Sequence, residues 1–111
     1  MKLLQALCDI MAPSGHEAAL HELIKSEIKD CVDEITTDAL GNLIAHKRGP
    51  GKRLMLAAHT DEIGLIVTYI EESGYIRVQN IGGVRPQYAL AQRVRFLNGT
   101  VGVVFYDQGK E

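Results

Sequence analysis

The run Leu54-Met55-Leu56-Ala57-Ala58 carries no polar residue and passes without a break into His59-Thr60-Asp61-Glu62-Ile63-Gly64. Five consecutive apolar residues leave no alternation between a wet and a dry face. They predict an internal strand of a sheet covered on both sides, as in α/β domains. Open α/β sheets place their chemistry just past the carboxyl ends of such strands. An imidazole and two carboxylates emerge at that point here. A histidine followed two residues later by an acid suits a metal site, because one ring nitrogen binds the ion while the acid accepts the proton on the other. A lone histidine at a strand end is more often a hydrogen-bonded structural residue, so the bare His59-x-Asp61 pattern leaves both readings open.

The chain has 111 residues, the size of one small domain, and its 46% hydrophobic and 23% charged residues are those of a soluble globular protein. A net charge of −2 gives no reason to expect nucleic acid as a partner. Lys47, Arg48, Lys52 and Arg53 cluster around Gly49-Pro50-Gly51, which reads as a solvated turn between two strands in preference to a phosphate-binding patch. Cys8 and Cys31 fall on helical or post-helical segments. Met1-Lys2 leads into an amphipathic helix with polar positions instead of a secretory signal, so free thiols in a reducing cytoplasm are the expectation. No apolar run approaches the roughly 20 residues that span a bilayer, and no membrane partner is expected.

Leu3, Leu4, Leu7, Ile10 and Met11 recur at helical spacing and predict a short amphipathic helix ending before Pro13. Ser14-Gly15-His16-Glu17 matches a Ser-x-x-Glu capping box, with Ser14 capping a second helix and Glu17 reaching back to the Ser14 amide. That helix continues through Leu20, Leu23, Ile24 and Ile28. His16 and His21 are five residues apart, diverge by roughly 140° around a helix, and cannot share an ion as a four-residue pair does. Both read as surface residues, with Glu17 and His21 in position to pair across one turn.

Beyond Cys31 the period changes. Val32, Ile35 and Thr37 predict a strand, Leu40-Gly41-Asn42 a turn, and Leu43-Ile44-Ala45 a second strand. From Ile63 onward a β-rich run (Ile63, Leu65, Val67, Tyr69, Ile70) turns at Ser73-Gly74 and returns through Tyr75–Val78. Ile81-Gly82-Gly83-Val84 breaks that hairpin. Val94-Arg95-Phe96 and Val101–Val104 are further strands joined by Asn98-Gly99. This half reads as all-β, without a helix, as in a small barrel. The shift near Gly64 suggests a boundary between residues 1–64 and 65–111.

Four segments, Ala12-Pro13-Ser14-Gly15-His16-Glu17, Asp38-Ala39-Leu40-Gly41-Asn42-Leu43, Ala58–Gly64 and Ile81-Gly82-Gly83, occur in the order and spacing of the glutamyl aminopeptidase family. The chain resembles this metallopeptidase family, number forty-two, over nearly its whole length. The family includes the tetrahedral aminopeptidases and proteins labelled endoglucanase or cellulase. The resemblance implies an α/β fold: the start of a two-metal exopeptidase sheet domain over 1–64, then part of a β-barrel lid and dimerisation domain over 65–111. It implies that His59 is a metal ligand and that Asp61 is the acid that orients it, its contribution to catalysis. Ser14, Gly15 and Glu17 match helix-start positions, and Asp38, Gly41 and Asn42 match turn-formers. Glu62 and Gly64 belong to the same motif without a catalytic assignment.

Family members extend well beyond this length, and their remaining ligands and general-base glutamate lie after the lid. Glu71, Glu72 and Asp107 sit on hairpin turns or near a terminus and offer no replacement. The implied function is that of the amino-terminal part of a cytoplasmic, homo-oligomeric aminopeptidase that acts on peptides with two divalent ions, zinc or cobalt. A catalytic zinc needs about three protein ligands, so the chain alone is expected to bind metal weakly and to be inactive. Two rival readings remain: a stand-alone binding or assembly module that pairs through open strand edges, and, ranked lower, an endoglucanase, which needs two carboxyl groups flanking a sugar bond.

Overall fold

In a computed structural model, which describes residues 2–105, the chain forms two compact units that divide between Glu62 and Ile63. Asp107 lies outside the described residues.

The first unit opens with two helices. Helix α1 spans Lys2–Asp9, and its Leu3, Leu4 and Leu7 follow the expected helical spacing. Helix α2 spans Ala18–Ile28. Leu20 on α2 and Ala12 in the connection between the helices are the buried hydrophobic residues of the core. The expected capping box does not form. The residue ahead of α2 is Glu17, in helical conformation and without a side-chain cap, and the Glu17 carboxylate accepts the Gly15 N–H at 2.8 Å. Gly15, at φ +88°, turns the chain between Pro13 and α2, while the His16 N–H closes onto the Pro13 carbonyl at 2.8 Å. This turn takes the Ser14 side chain out of capping position and leaves its hydroxyl for a distant acceptor.

Strands β1 (Glu34–Thr37) and β2 (Leu43–His46) make an antiparallel hairpin in which Ile35 faces Ala45 and Thr37 faces Leu43. Its loop is built on Asp38. One carboxylate oxygen accepts the N–H groups of Leu40 (3.0 Å) and Asn42 (2.8 Å), and the other accepts the Asn42 side-chain amide at 2.8 Å. Gly41, at φ +88°, supplies the left-handed residue this loop requires. Asp33 ties down the open end, accepting the Arg48 N–H at 2.6 Å and pairing with Lys47.

The internal strand expected at Leu54–Ala58 is absent. Among the described residues it enters no ladder, and Leu54, Met55 and Leu56 are 84%, 85% and 88% exposed. A strand of this kind needs neighbours on both edges, and each sheet among the described residues is a single two-stranded hairpin. None of them flanks this run on both sides.

The second unit holds two more hairpins. Strands β3 (Gly64–Ile70) and β4 (Ile76–Ile81) pair antiparallel, with an irregularity between Val67 and Tyr69. Their turn is closed by the Gly74 N–H on the Glu71 carbonyl, and Glu71 also pairs with Arg77. Strands β5 (Arg93–Arg95) and β6 (Val101–Val103) pair around the Asn98-Gly99 turn, where the Gly99 N–H reaches the Phe96 carbonyl at 2.8 Å. A cleft of about 750 Å³, lined by Leu65, Ile76, Val94 and Phe96 among others, lies between the hairpins. The two hairpins share no ladder among the described residues. A single helical turn, α3 (Pro86–Ala89), interrupts the half read as wholly β. Pro86 explains it: proline at the first helical position has its φ preset and lacks only an N–H that would have no partner there.

Candidate functional site

The candidate site lies in the first unit, where residues 12–14 run beside residues 60–62. Pro13 and Glu62 form an isolated parallel bridge. The Glu62 N–H donates to the Ala12 carbonyl at 2.9 Å, and the Glu62 carboxylate returns to accept the Ala12 N–H at 3.0 Å. This reciprocal pair clamps two segments far apart in sequence and gives Glu62 a structural use. Two side-chain contacts extend the clamp. Ser14 Oγ donates to Asp61 Oδ2 at 2.5 Å, and His21 Nε2 lies 3.1 Å from Thr60 Oγ1.

His59 stands at the edge of this clamp with its side chain 86% exposed. Its Nδ1 is 3.1 Å from Asp61 Oδ1 and 3.0 Å from the Asp61 carbonyl oxygen. Both neighbours accept hydrogen bonds and cannot donate them. Nδ1 therefore carries the hydrogen in the neutral ring, and Nε2 keeps its lone pair. Nε2 has no partner among the described residues. The Asp61 carboxyl is held below the usual aspartate range, chiefly by the Ser14 hydroxyl; burial opposes this, and the His59 contact adds to the lowering. The result is an imidazole whose outward nitrogen is an electron-pair donor and whose inward nitrogen is fixed by a carboxylate, the arrangement seen behind metal-bound histidines.

The pair offers a single donor atom to an ion. Among the described residues no group of three or more His, Cys, Asp or Glu side chains comes together to hold an ion. His16 is exposed and has no part in the cluster. His21 corrects its sequence reading: the ring reaches Thr60, 39 residues away, and does not pair with Glu17, whose carboxylate is taken by Gly15. Spacing gives no signal for either long-range contact. Glu71 pairs with Arg77 at the β3–β4 turn, away from any ligand set. Cys8 and Cys31 are free and exposed, and among the described residues no helix is long and apolar enough to cross a membrane.

The sequence profile of the M42 glutamyl aminopeptidases matches residues 41–108. A lysyl aminopeptidase from Pyrococcus furiosus is 40% identical over 110 residues, covering 93% of this chain and 32% of that protein. Among solved structures, a Thermotoga maritima protein named endoglucanase superposes with a TM-score of 0.84 at 40% identity, covering 93% of this chain and 33% of its own. The Pyrococcus horikoshii TET1 peptidase, described as assembling into a tetrahedron or a large octahedral shell, gives a TM-score of 0.81 at 32% identity over 98% of this chain and 34% of its own. The chain thus spans about a third of the length of these relatives.

Proposed function

The chain belongs to the M42 glutamyl aminopeptidase family, and from that membership we propose that it forms the amino-terminal part of a metal-dependent aminopeptidase acting on peptides. The observation that carries this reading is the His59–Asp61 pair, with Nδ1 tied to the carboxylate and Nε2 left as a donor. His59 would hold one of two divalent ions, zinc or cobalt, and Asp61 would keep the ring in the required tautomer and orientation. When bound, such ions supply a water of lowered pKa and polarise the scissile carbonyl. The other ligands and the general base belong to polypeptide beyond these residues, as does the pocket that selects glutamyl or another amino-terminal residue. The first unit then contributes the start of the α/β catalytic domain. Its Leu54–Ala58 segment would enter a sheet completed by that further polypeptide. The second unit contributes part of a β-barrel lid that also serves dimerisation. The complete protein would be a cytoplasmic homo-oligomer, and the assembly described for the TET1 relative supports the second part of that reading.

The rival readings are less well supported. Glycoside hydrolysis needs two carboxyl groups facing one sugar bond; Glu62 is committed to the Ala12 N–H and Glu71 to Arg77. A separate binding module leaves the His59–Asp61 geometry without a use. The test is release of amino acids from chromogenic aminoacyl substrates. A longer polypeptide carrying this sequence should turn over with added zinc or cobalt and lose that activity with His59→Ala, while the 111-residue chain should show none. Full metal-dependent turnover in the His59→Ala enzyme would overturn the assignment.

A further inference from the structure

We propose that Ser14 is a positioning residue of the site, whose hydroxyl holds the Asp61 carboxylate in the one orientation that presents its second oxygen to His59. The inference rests on the reading of His59 given above and adds a third member to its support. Asp61 is bound at both oxygens, by Ser14 Oγ on Oδ2 and by His59 Nδ1 on Oδ1. The Asp61 side chain is 38% exposed. A carboxylate that open to water, with only one ring contact to restrain it, is drawn to rotate toward solvent. The hydroxyl supplies the second point that fixes a plane.

Ser14 can do this because its own backbone is held. Ala12 and Glu62 exchange two hydrogen bonds on one side, and the His16 N–H closes on Pro13 on the other. The hydroxyl has no competing duty at the helix start, since α2 has no side-chain cap. The chain of contacts runs Ser14 to Asp61 to His59, with the carboxylate between hydroxyl and imidazole. Ser14 is therefore not activated as a nucleophile, which would require the imidazole beside the hydroxyl. It acts on the ion only through Asp61 and the ring.

Nuclear magnetic resonance of the metal-free, isotope-labelled chain tests this without any turnover. In the unaltered chain, three-bond couplings should place Asp61 in a single χ1 rotamer, and the His59 ring nitrogens should show hydrogen on Nδ1. Ser14→Ala should average the Asp61 couplings and raise the Nε2-protonated fraction of His59. Ser14→Thr, which keeps the hydroxyl, should retain both signatures. Ser14→Cys, a weaker donor of similar size, should fall between, and serves as the readout if the alanine variant fails to fold. In the longer enzyme, zinc affinity by chelator competition should fall by about tenfold with Ser14→Ala and little with Ser14→Thr. A single Asp61 rotamer in both the unaltered chain and Ser14→Ala, or averaging already present in the unaltered chain, overturns the proposal. Failure of the His59 reading has a different mark: His59→Ala retains metal in the longer enzyme, while the response of Asp61 to Ser14 substitution still stands.

Discussion

Replacing Leu56 by alanine should barely change the stability of this chain, yet should cost heavily in the longer enzyme to which it is assigned. Leu56 is 88% exposed, and its neighbours Leu54 and Met55 are 84% and 85% exposed. A substitution that removes so little packing falls within about 0.5 kcal/mol. If further polypeptide covers the 54–58 segment, Leu56→Ala becomes a core truncation worth about 2–5 kcal/mol. Urea denaturation followed by far-ultraviolet circular dichroism reads both cases. With a slope of about 1–3 kcal/mol/M for a small protein and steeper for a longer one, the midpoint should hold nearly still in this chain and drop by about 0.5 M or more in the longer one. A loss above about 2 kcal/mol in this chain alone would mean that the segment is already packed. Equal, negligible losses in both would mean that it is never covered.

Other outcomes follow from the same contacts. Leu20, 6% exposed, is the largest buried hydrophobic residue among those described, and Leu20→Ala should cost about 2–3 kcal/mol, seen as a lowered urea midpoint of the first unit. Gly41 sits at φ +88°, so Gly41→Ala should destabilise the β1–β2 hairpin by about 1–2 kcal/mol, measured as faster amide exchange in β1 and β2. Asp33 and Asp38 are both held below the ordinary aspartate value of 3.8, Asp33 chiefly by the Arg48 N–H and Asp38 chiefly by the Asn42 side chain. A lowered folded pKa stabilises above the unfolded value and is lost as pH falls through the folded one. Hairpin protection should therefore hold steady from pH 7 to about 4 and decline below that, and the decline should shrink in Asp33→Asn. The isolated chain should bind zinc weakly, with little change in His59→Ala; tight stoichiometric binding by calorimetry, abolished by that substitution, would show that a full ligand set is present.

What could be read from the sequence divides by the distance over which each contact acts. Helix α1, the Asp38–Asn42 loop and the Gly74 and Gly99 turns follow from periodicity and turn chemistry within a few residues, and the sequence signals for them agree with the structure. The contact between His59 and Asp61 is equally local, being two residues apart. Ser14 was misread for the opposite reason. Its spacing to Glu17 satisfies a capping box, but the hydroxyl meets Asp61, 47 residues away. The turn at Gly15 carries the Ser14 side chain away from the start of α2, and there its hydroxyl donates to the Asp61 carboxylate, a charge-assisted bond. His21 was misread in the same way, its contact with Thr60 lying 39 residues off.

The Leu54–Ala58 run is a different kind of failure. Its composition describes the surroundings that the segment needs, while the structure describes those available within residues 2–105. Five apolar residues at more than four-fifths exposure over their first three are unstable on hydrophobic grounds alone. The mismatch is therefore itself informative. On the proposed assignment, a segment composed for burial and a histidine with one nitrogen fixed and the other an open donor would be completed by the same thing: further chain that covers the segment and brings the remaining ligands. A polypeptide that buries Leu56 without bringing acidic or imidazole groups to within coordinating distance of His59 Nε2 would separate the two needs and break this link.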